Sequence, residues 1–118
     1  MNDQGTTVPR FNVHTASYEP SPEWGGHKKF LYESPDGARK AGSFKEFGHF
    51  TEVMPFDEFI YVVAGSTKVA IEGGETFELV AGDCCYLRKG LSVTFDHAPD
   101  FLVVAVLMSY GDDDAPTA

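Results

Sequence analysis

Glu58-Phe59-Ile60-Tyr61-Val62-Val63-Ala64-Gly65 is a run of β-branched and aromatic residues closed by a glycine. Such a run reads as a strand that ends in a reversal. The same grammar repeats on both sides of it. Downstream, residues 67–71 stop at Gly73-Gly74, residues 76–80 stop at Gly82-Asp83, and residues 84–87 lead into Arg88-Lys89-Gly90. Residues 91–96 end before Ala98-Pro99-Asp100, and residues 101–109 close the series. Upstream, residues 28–33 precede the turn sequence Ser34-Pro35-Asp36-Gly37, and residues 44–51 lead into Met54-Pro55-Phe56-Asp57. These eight short segments predict an all-β sandwich or barrel. No stretch holds a helical period for three turns free of Gly or Pro. The connections are too short for helical crossovers, so antiparallel pairing follows. A small jelly roll, whose near-closure removes exposed edges, is the expected fold.

The 118 residues suffice for one domain with one core. An arm over residues 1–27, rich in Pro, Gly, Ser and Thr, is expected to be extended, with short edge pairings at most. The barrel is expected over 28–110, and the Asp-rich stretch 111–118 is expected to be a disordered acidic tail. A net charge of −9 argues against nucleic acid as a partner and against adsorption to anionic membranes. No basic stretch followed by an apolar one stands at residues 1–5, and the apolar run 101–108 is too short to span a bilayer as a helix. Cys84 and Cys85 are adjacent, so on a strand they point to opposite faces and do not form a disulfide framework. A reducing, cytoplasmic setting is the expectation.

Two segments resemble the cupin superfamily. Glu58 followed six residues later by Gly65 matches the second half of the first cupin motif, and residues 82–90, Gly82-Asp83 through Gly90, resemble the second. The wider pattern of Asp57-Glu58-Phe59, Gly82-Asp83 and Gly90-x4-Phe95 is similar to the cupin type 3 group, which includes ethanolamine-utilisation cupins and is related to ureidoglycine aminohydrolase domains. The resemblance covers roughly residues 40–108. It implies a double-stranded β-helix, the jelly-roll cupin barrel, preceded by the extended arm. It also implies a homodimer that packs sheet faces and exchanges N-terminal strands.

Metal-binding cupins place a His-x-His pair three or four residues before the motif Glu, and a further His three residues after the second-motif Gly. Here the pair falls on Thr51 and Val53, or with the shorter spacing on Glu52 and Met54, and the last position is Val93. Glu58 alone survives, which does not suit Fe, Mn, Zn or Ni. The resemblance therefore implies a barrel without the family's usual metal cofactor. Arg88 replaces the Pro of the second turn, Phe95 replaces a frequent Trp, and His97 stands at a terminal Asn position.

In cupins the first-motif strand runs antiparallel to the strand after Gly90. If position 53 faces 93, then Thr51 faces Phe95, His49 faces His97, and all six share the inner face. His49 and His97 would then form a displaced cluster able to bind a divalent transition metal with Glu58, or an acid–base pair; otherwise they are two rim histidines. Glu58 reads either as a general acid or base with a raised pKa, or as a carboxyl bonded to Thr51, Tyr61 or Tyr86. Asp57 is expected to cap the turn after Pro55. By comparison with related cupins Cys85 is the inward cysteine, as a small hydrophobe or, beside His97, as a thiol nucleophile. Arg88 and Lys89 either attract an anion to the mouth or are a solvated turn. Trp24 and the phenylalanines are core, dimer contacts or pocket walls.

These readings converge on a small cupin that binds a small polar metabolite, with Glu58 and His97 as catalytic candidates. Thr51, Val53, Cys85, Tyr86, Arg88 and Phe95 are the ligand-binding candidates. The rivals are a metalloenzyme using His49, Glu58, His97 and Cys85, and a noncatalytic dimeric sensor or accessory protein.

Overall fold

The computed structural model describes residues 6–21 and 26–109. Trp24 and the acidic stretch 111–118 lie outside the described residues. Among the described residues ten strands are formed: β1 (Glu19–Ser21), β2 (Gly26–Glu33), β3 (Arg39–Lys45), β4 (Gly48–Val53), β5 (Asp57–Ala64), β6 (Ser66–Ile71), β7 (Thr76–Val80), β8 (Cys84–Leu87), β9 (Ser92–His97) and β10 (Leu102–Met108). They make a six-stranded sheet ordered β1-β2-β3-β10-β5-β8 and a four-stranded sheet ordered β4-β9-β6-β7, with every pairing antiparallel. The expected all-β jelly roll is the observed fold.

The core forms where inward residues of the two sheets meet. Phe44, Ile60, Val62, Leu87, Val103 and Ala105 come from the larger sheet, and Val69, Leu79, Val93 and Phe95 from the smaller. Met54 and Phe101, from the connections, plug the gaps. Alternation is plain along β9, where Val93, Phe95 and His97 are buried and Asp96 is exposed.

The segment expected as a single strand over 44–51 is instead two strands. β3 lies in the larger sheet and β4 in the smaller, and the chain changes sheets at Glu46-Phe47-Gly48. Gly48 has φ 88°, where a side chain would be strained although nothing crowds the position. Gly65 reverses β5 into β6 with φ 77°, and a Cβ there would meet the Asp100 backbone at 2.8 Å. Its glycine therefore serves conformation and close packing together.

The register of β4 on β9 differs from expectation by one residue. Phe50 faces Phe95, Glu52 faces Val93, and His49 faces Asp96. A slip of one turns every side chain to the other face. Met54 decides the register: it is buried, its N–H donates to Leu91 O at 2.8 Å, and its carbonyl accepts from Gly90 N–H at 2.8 Å. Phe50 and Glu52 consequently point inward. His49, Thr51 and Val53 point outward, Val53 with 63% of its surface exposed.

The described part of the arm folds over its own sheet. Tyr18 Oη lies 2.9 Å from Val13 O and 2.8 Å from the buried Ser43 Oγ, and β1 extends the sheet edge. No helix among the described residues is long and apolar enough to cross a membrane.

Candidate binding site inside the barrel

Each strand that contributes to the interior delivers a side chain by parity. β5 turns Glu58 and Ile60 inward, β4 turns Phe50 and Glu52, and β9 turns Phe95 and His97. Glu46 enters from the crossing between β3 and β4. With Thr67, Leu79, Phe101 and Val103 they enclose a cavity of about 40 Å³. A second cavity of about 100 Å³ adjoins it, sharing Glu46, Phe50, Glu52 and Glu58 and adding Phe44, Phe56 and Leu107. Both hold water-sized molecules or the end of a small ligand.

The chemistry at the closed end belongs to His97. Its ring is stacked between Phe95 and Phe101, with centroids 5.2 and 4.6 Å away. Nδ1 lies 2.9 Å from Thr67 Oγ1, and that hydroxyl also reaches Asp96 O at 3.3 Å. Thr67 has one hydrogen to give. If it goes to the Asp96 carbonyl, Nδ1–H donates to Thr67 and the Nε2 lone pair is left facing Glu46. Nε2 and Glu46 Oε1 are 3.6 Å apart, too long for a hydrogen bond. Burial pushes His97 down to about 4, so the ring is neutral near pH 7.

The three glutamates move the other way. Burial pushes Glu58 up to about 8, reinforced by the charges of Glu46 and Glu52. Burial pushes Glu46 up to about 7, with Glu52 adding to it, and Glu52 itself is raised by burial. Among the described residues no lysine or arginine lines either cavity to offset this mutual repulsion. The Glu58 side chain is half-buried and lines both cavities. The interior thus presents a protonated acid, a carboxyl poised near neutrality and a neutral imidazole.

Of the residues proposed from sequence, Glu58, Phe95 and His97 meet at this cavity. Cys85 sits opposite Ile60 with its side chain toward the core, but burial and the Glu58 charge push its thiol up to about 11, which disfavours a thiolate nucleophile. The others are elsewhere. Thr51 is on the outer face, 3.0 Å from Thr94 across the ladder, and Val53 lies beside it. Tyr86 is half exposed and donates to Asp57 Oδ2 at 2.5 Å. Asp57 also accepts from Lys89 N–H at 2.8 Å, so it clamps the turn between β8 and β9. Arg88 is exposed on that same turn. His49 is exposed and faces Asp96, so the proposed His49–His97 pair does not form, and neither does a metal set that includes it.

The structure selects the shorter of the two spacings for the lost metal ligands. Glu52 and Glu58 line the cavity, whereas Met54 and Val93 are buried apolar groups that offer no ligand of the usual kind. This donor set does not fit the family's metal. Among the described residues no three His, Cys, Asp or Glu side chains meet in a way that would hold an ion. Glu46, Phe50 and Thr67 were missed from sequence. The inward pair Phe50 and Met54 was the usable signal for β4, because two large apolar residues of one parity outweigh a lone Val53.

The fold and its carboxyl-lined interior define a small jelly-roll barrel of the cupin class. Residues 33–99, more than half of the chain, match the model of the EutQ-like cupin domain, and the protein belongs to that family. No curated protein matches the sequence. Among solved structures the chain is similar to a putative ethanolamine utilisation protein Q from Salmonella typhimurium LT2, at 25% identity and TM-score 0.65 over 77% of each chain. It is similar to a protein of unknown function from Rhizobium leguminosarum bv. viciae 3841, at 24% identity and TM-score 0.70, covering 89% of this chain and 100% of that one. KdgF from Halomonas sp. shares the fold at 23% identity and TM-score 0.67, covering 88% of this chain and 97% of that one.

Proposed function

We propose that the protein binds a small polar metabolite inside the barrel and moves a proton on it, as an enzyme of small-molecule catabolism. The carrying observation is the Glu58 carboxyl: half-buried, with its proton held well above the usual carboxylate range, and facing a cavity that also holds Glu46, Glu52 and His97. Desolvation of a carboxyl is costly, and a ligand that hydrogen-bonds to it offsets that cost. Carboxyls displaced toward neutral pH are suited to general acid–base work. In this reading Glu58 donates a proton near pH 7 and Glu46 accepts one. His97, held by Thr67, walls the cavity beside Glu46. Phe50, Phe95 and Phe101 exclude water around the reacting atoms.

Saturation-transfer NMR with a library of small polar metabolites tests binding, and turnover of each hit tests the chemistry. Glu58→Gln keeps the size and removes the proton, so it is expected to retain binding within about tenfold and to lower turnover by about 10²–10⁴-fold. Unchanged turnover in that variant would refute the catalytic role. Hits that bind Glu58→Gln and Phe50→Trp as tightly as the native protein would refute the interior site.

A further inference from the structure

The interior cavities do not end at the glutamates. The second shares Phe44, Phe56 and Leu107 with a third of about 230 Å³, which is also lined by Lys28, Phe30, Lys40 and Ser109. The three adjoin along the inner face of the larger sheet, and strand register fixes their order. Glu58 on β5 faces Leu107 on β10, and Leu107 faces Lys40 on β3. Residues two strands apart in such a row have Cα atoms roughly 10 Å apart. One row thus runs from a carboxyl, over a leucine floor, to an ammonium.

The lysine end is built on an aromatic. Lys28 Nζ and Lys40 Nζ each lie 5.7 Å from the centroid of the Phe30 ring. Phe30 stands edge-on to Phe44 at 5.8 Å, above Gly42, where a Cβ would meet the Lys29 carbonyl at 2.8 Å. Lys40 is held loosely by Glu33 at 3.8 Å, and Lys28 has no carboxylate within ion-pair distance among the described residues. In a chain of net charge −9, two ammonium groups converging on one apolar pocket are an attractor for an anion. Lysines drawn over a ring for its π-face alone would need no adjoining cavity. Here the cavity continues to a cluster of three carboxyls, Glu46, Glu52 and Glu58.

We propose that the metabolite is bipolar, with an anionic group seated at Lys28 and Lys40, an apolar middle over Leu107, Phe44 and Phe56, and an ammonium group at Glu46, Glu52 and Glu58. The proposal rests on the interior-binding reading above and adds the ligand's class and direction. The reverse orientation sets an anion against three carboxyls and a cation against two ammonium groups. An amine alone leaves the lysine end unfilled, and a carboxylate alone leaves the glutamates unanswered.

Calorimetry on the full chain with ω-amino acids of three to six carbons tests this, against the n-alkylamine and n-alkylcarboxylate of each length and neutral diols of the same lengths. At least one amino acid is expected to bind ten times more tightly than both of its singly charged counterparts. In the double variant Lys28→Ala/Lys40→Ala, checked for its β-sheet circular dichroism, the ratio of amino-acid to amine affinity is expected to fall toward one. Glu58→Gln, close in size, is expected to weaken amino acids and amines together. Amines that bind as well as the amino acids, or a lysine double variant with an unchanged ratio, would overturn the proposal. Diols that bind where amino acids do not would overturn it and leave the interior site standing. No binding by any probe would overturn both.

Discussion

Three glutamates and a histidine inside one small barrel make stability a function of pH. The folded state holds the Glu58 and Glu46 protons up to about 8 and 7, while the unfolded chain releases them near 4.5. The native state therefore binds more protons, and the stability these groups contribute is full below pH 4.5 and lost as pH rises through 7 and 8. His97 acts oppositely. Its folded value of about 4 lies below the unfolded 6.5, so its contribution is present above pH 6.5 and lost as pH falls through 4. Two carboxyls outweigh one imidazole. Urea denaturation is expected to show a loss of about 2–4 kcal/mol between pH 5.5 and 8.5. Glu58→Gln should remove most of that slope; the same slope in the variant would mean that Glu58 is not the acid whose proton the fold retains. Cysteine reactivity is a second residue-scale check. Cys84 is exposed and Cys85 has its thiol pushed up to about 11. Iodoacetamide at pH 8 is expected to label Cys84 first, read by peptide mass spectrometry, and preferential labelling of Cys85 would contradict its burial toward Glu58.

At the scale of the element, β4 is where sequence reading and structure part. The alternation Phe50, Glu52, Met54 against Thr51 and Val53 is visible in the sequence, but period two alone does not say which parity faces the core. The decision comes from Met54, which plugs the barrel and bonds both sides of the turn at Gly90 and Leu91. Substitution on the two faces distinguishes the registers. Val53→Thr is expected to change stability by less than about 0.5 kcal/mol, whereas Val93→Ala is expected to cost about 2 kcal/mol through the cavity it leaves. A large loss from Val53→Thr would restore the slipped register. Gly48→Ala, which forces a side chain into φ 88° at the crossing between sheets, is expected to cost about 1 kcal/mol or more in the same urea assay.

At the scale of the molecule, the outer face of the larger sheet exposes an apolar strip. Leu31, Phe59, Tyr61 and Val106 keep 37–40% of their surface there, and Phe11 and Val13 of the arm line a groove of about 250 Å³ alongside. A strip of this kind supports the homodimer proposed from the family resemblance. Sedimentation equilibrium is expected to give a dimer for the native chain and a monomer for Phe59→Glu, which changes the face opposite the cavity. A native chain that sediments as a monomer would remove the dimer reading without touching the interior site.

The fold was legible because its signals are local. Glycines such as Gly65, Gly82 and Gly90 mark the reversals, and β-branched and aromatic runs lie between them, so chain punctuation alone determined a small antiparallel barrel. Glu58 was legible as an interior candidate because it holds a fixed place in a motif. Its companions were not. Glu46 lies in what reads as the middle of one strand, Glu52 depends on a register that local pattern leaves open, and Lys28 and Lys40 reach the same face only through the pairing of β2, β3 and β10. Which residues surround an interior carboxyl is a matter of non-local register and sheet crossing, and one residue of slip exchanges the whole lining. That is why only the tertiary structure decided that Glu58 shares its cavity with Glu46, Glu52 and His97, and that His49 lies outside it.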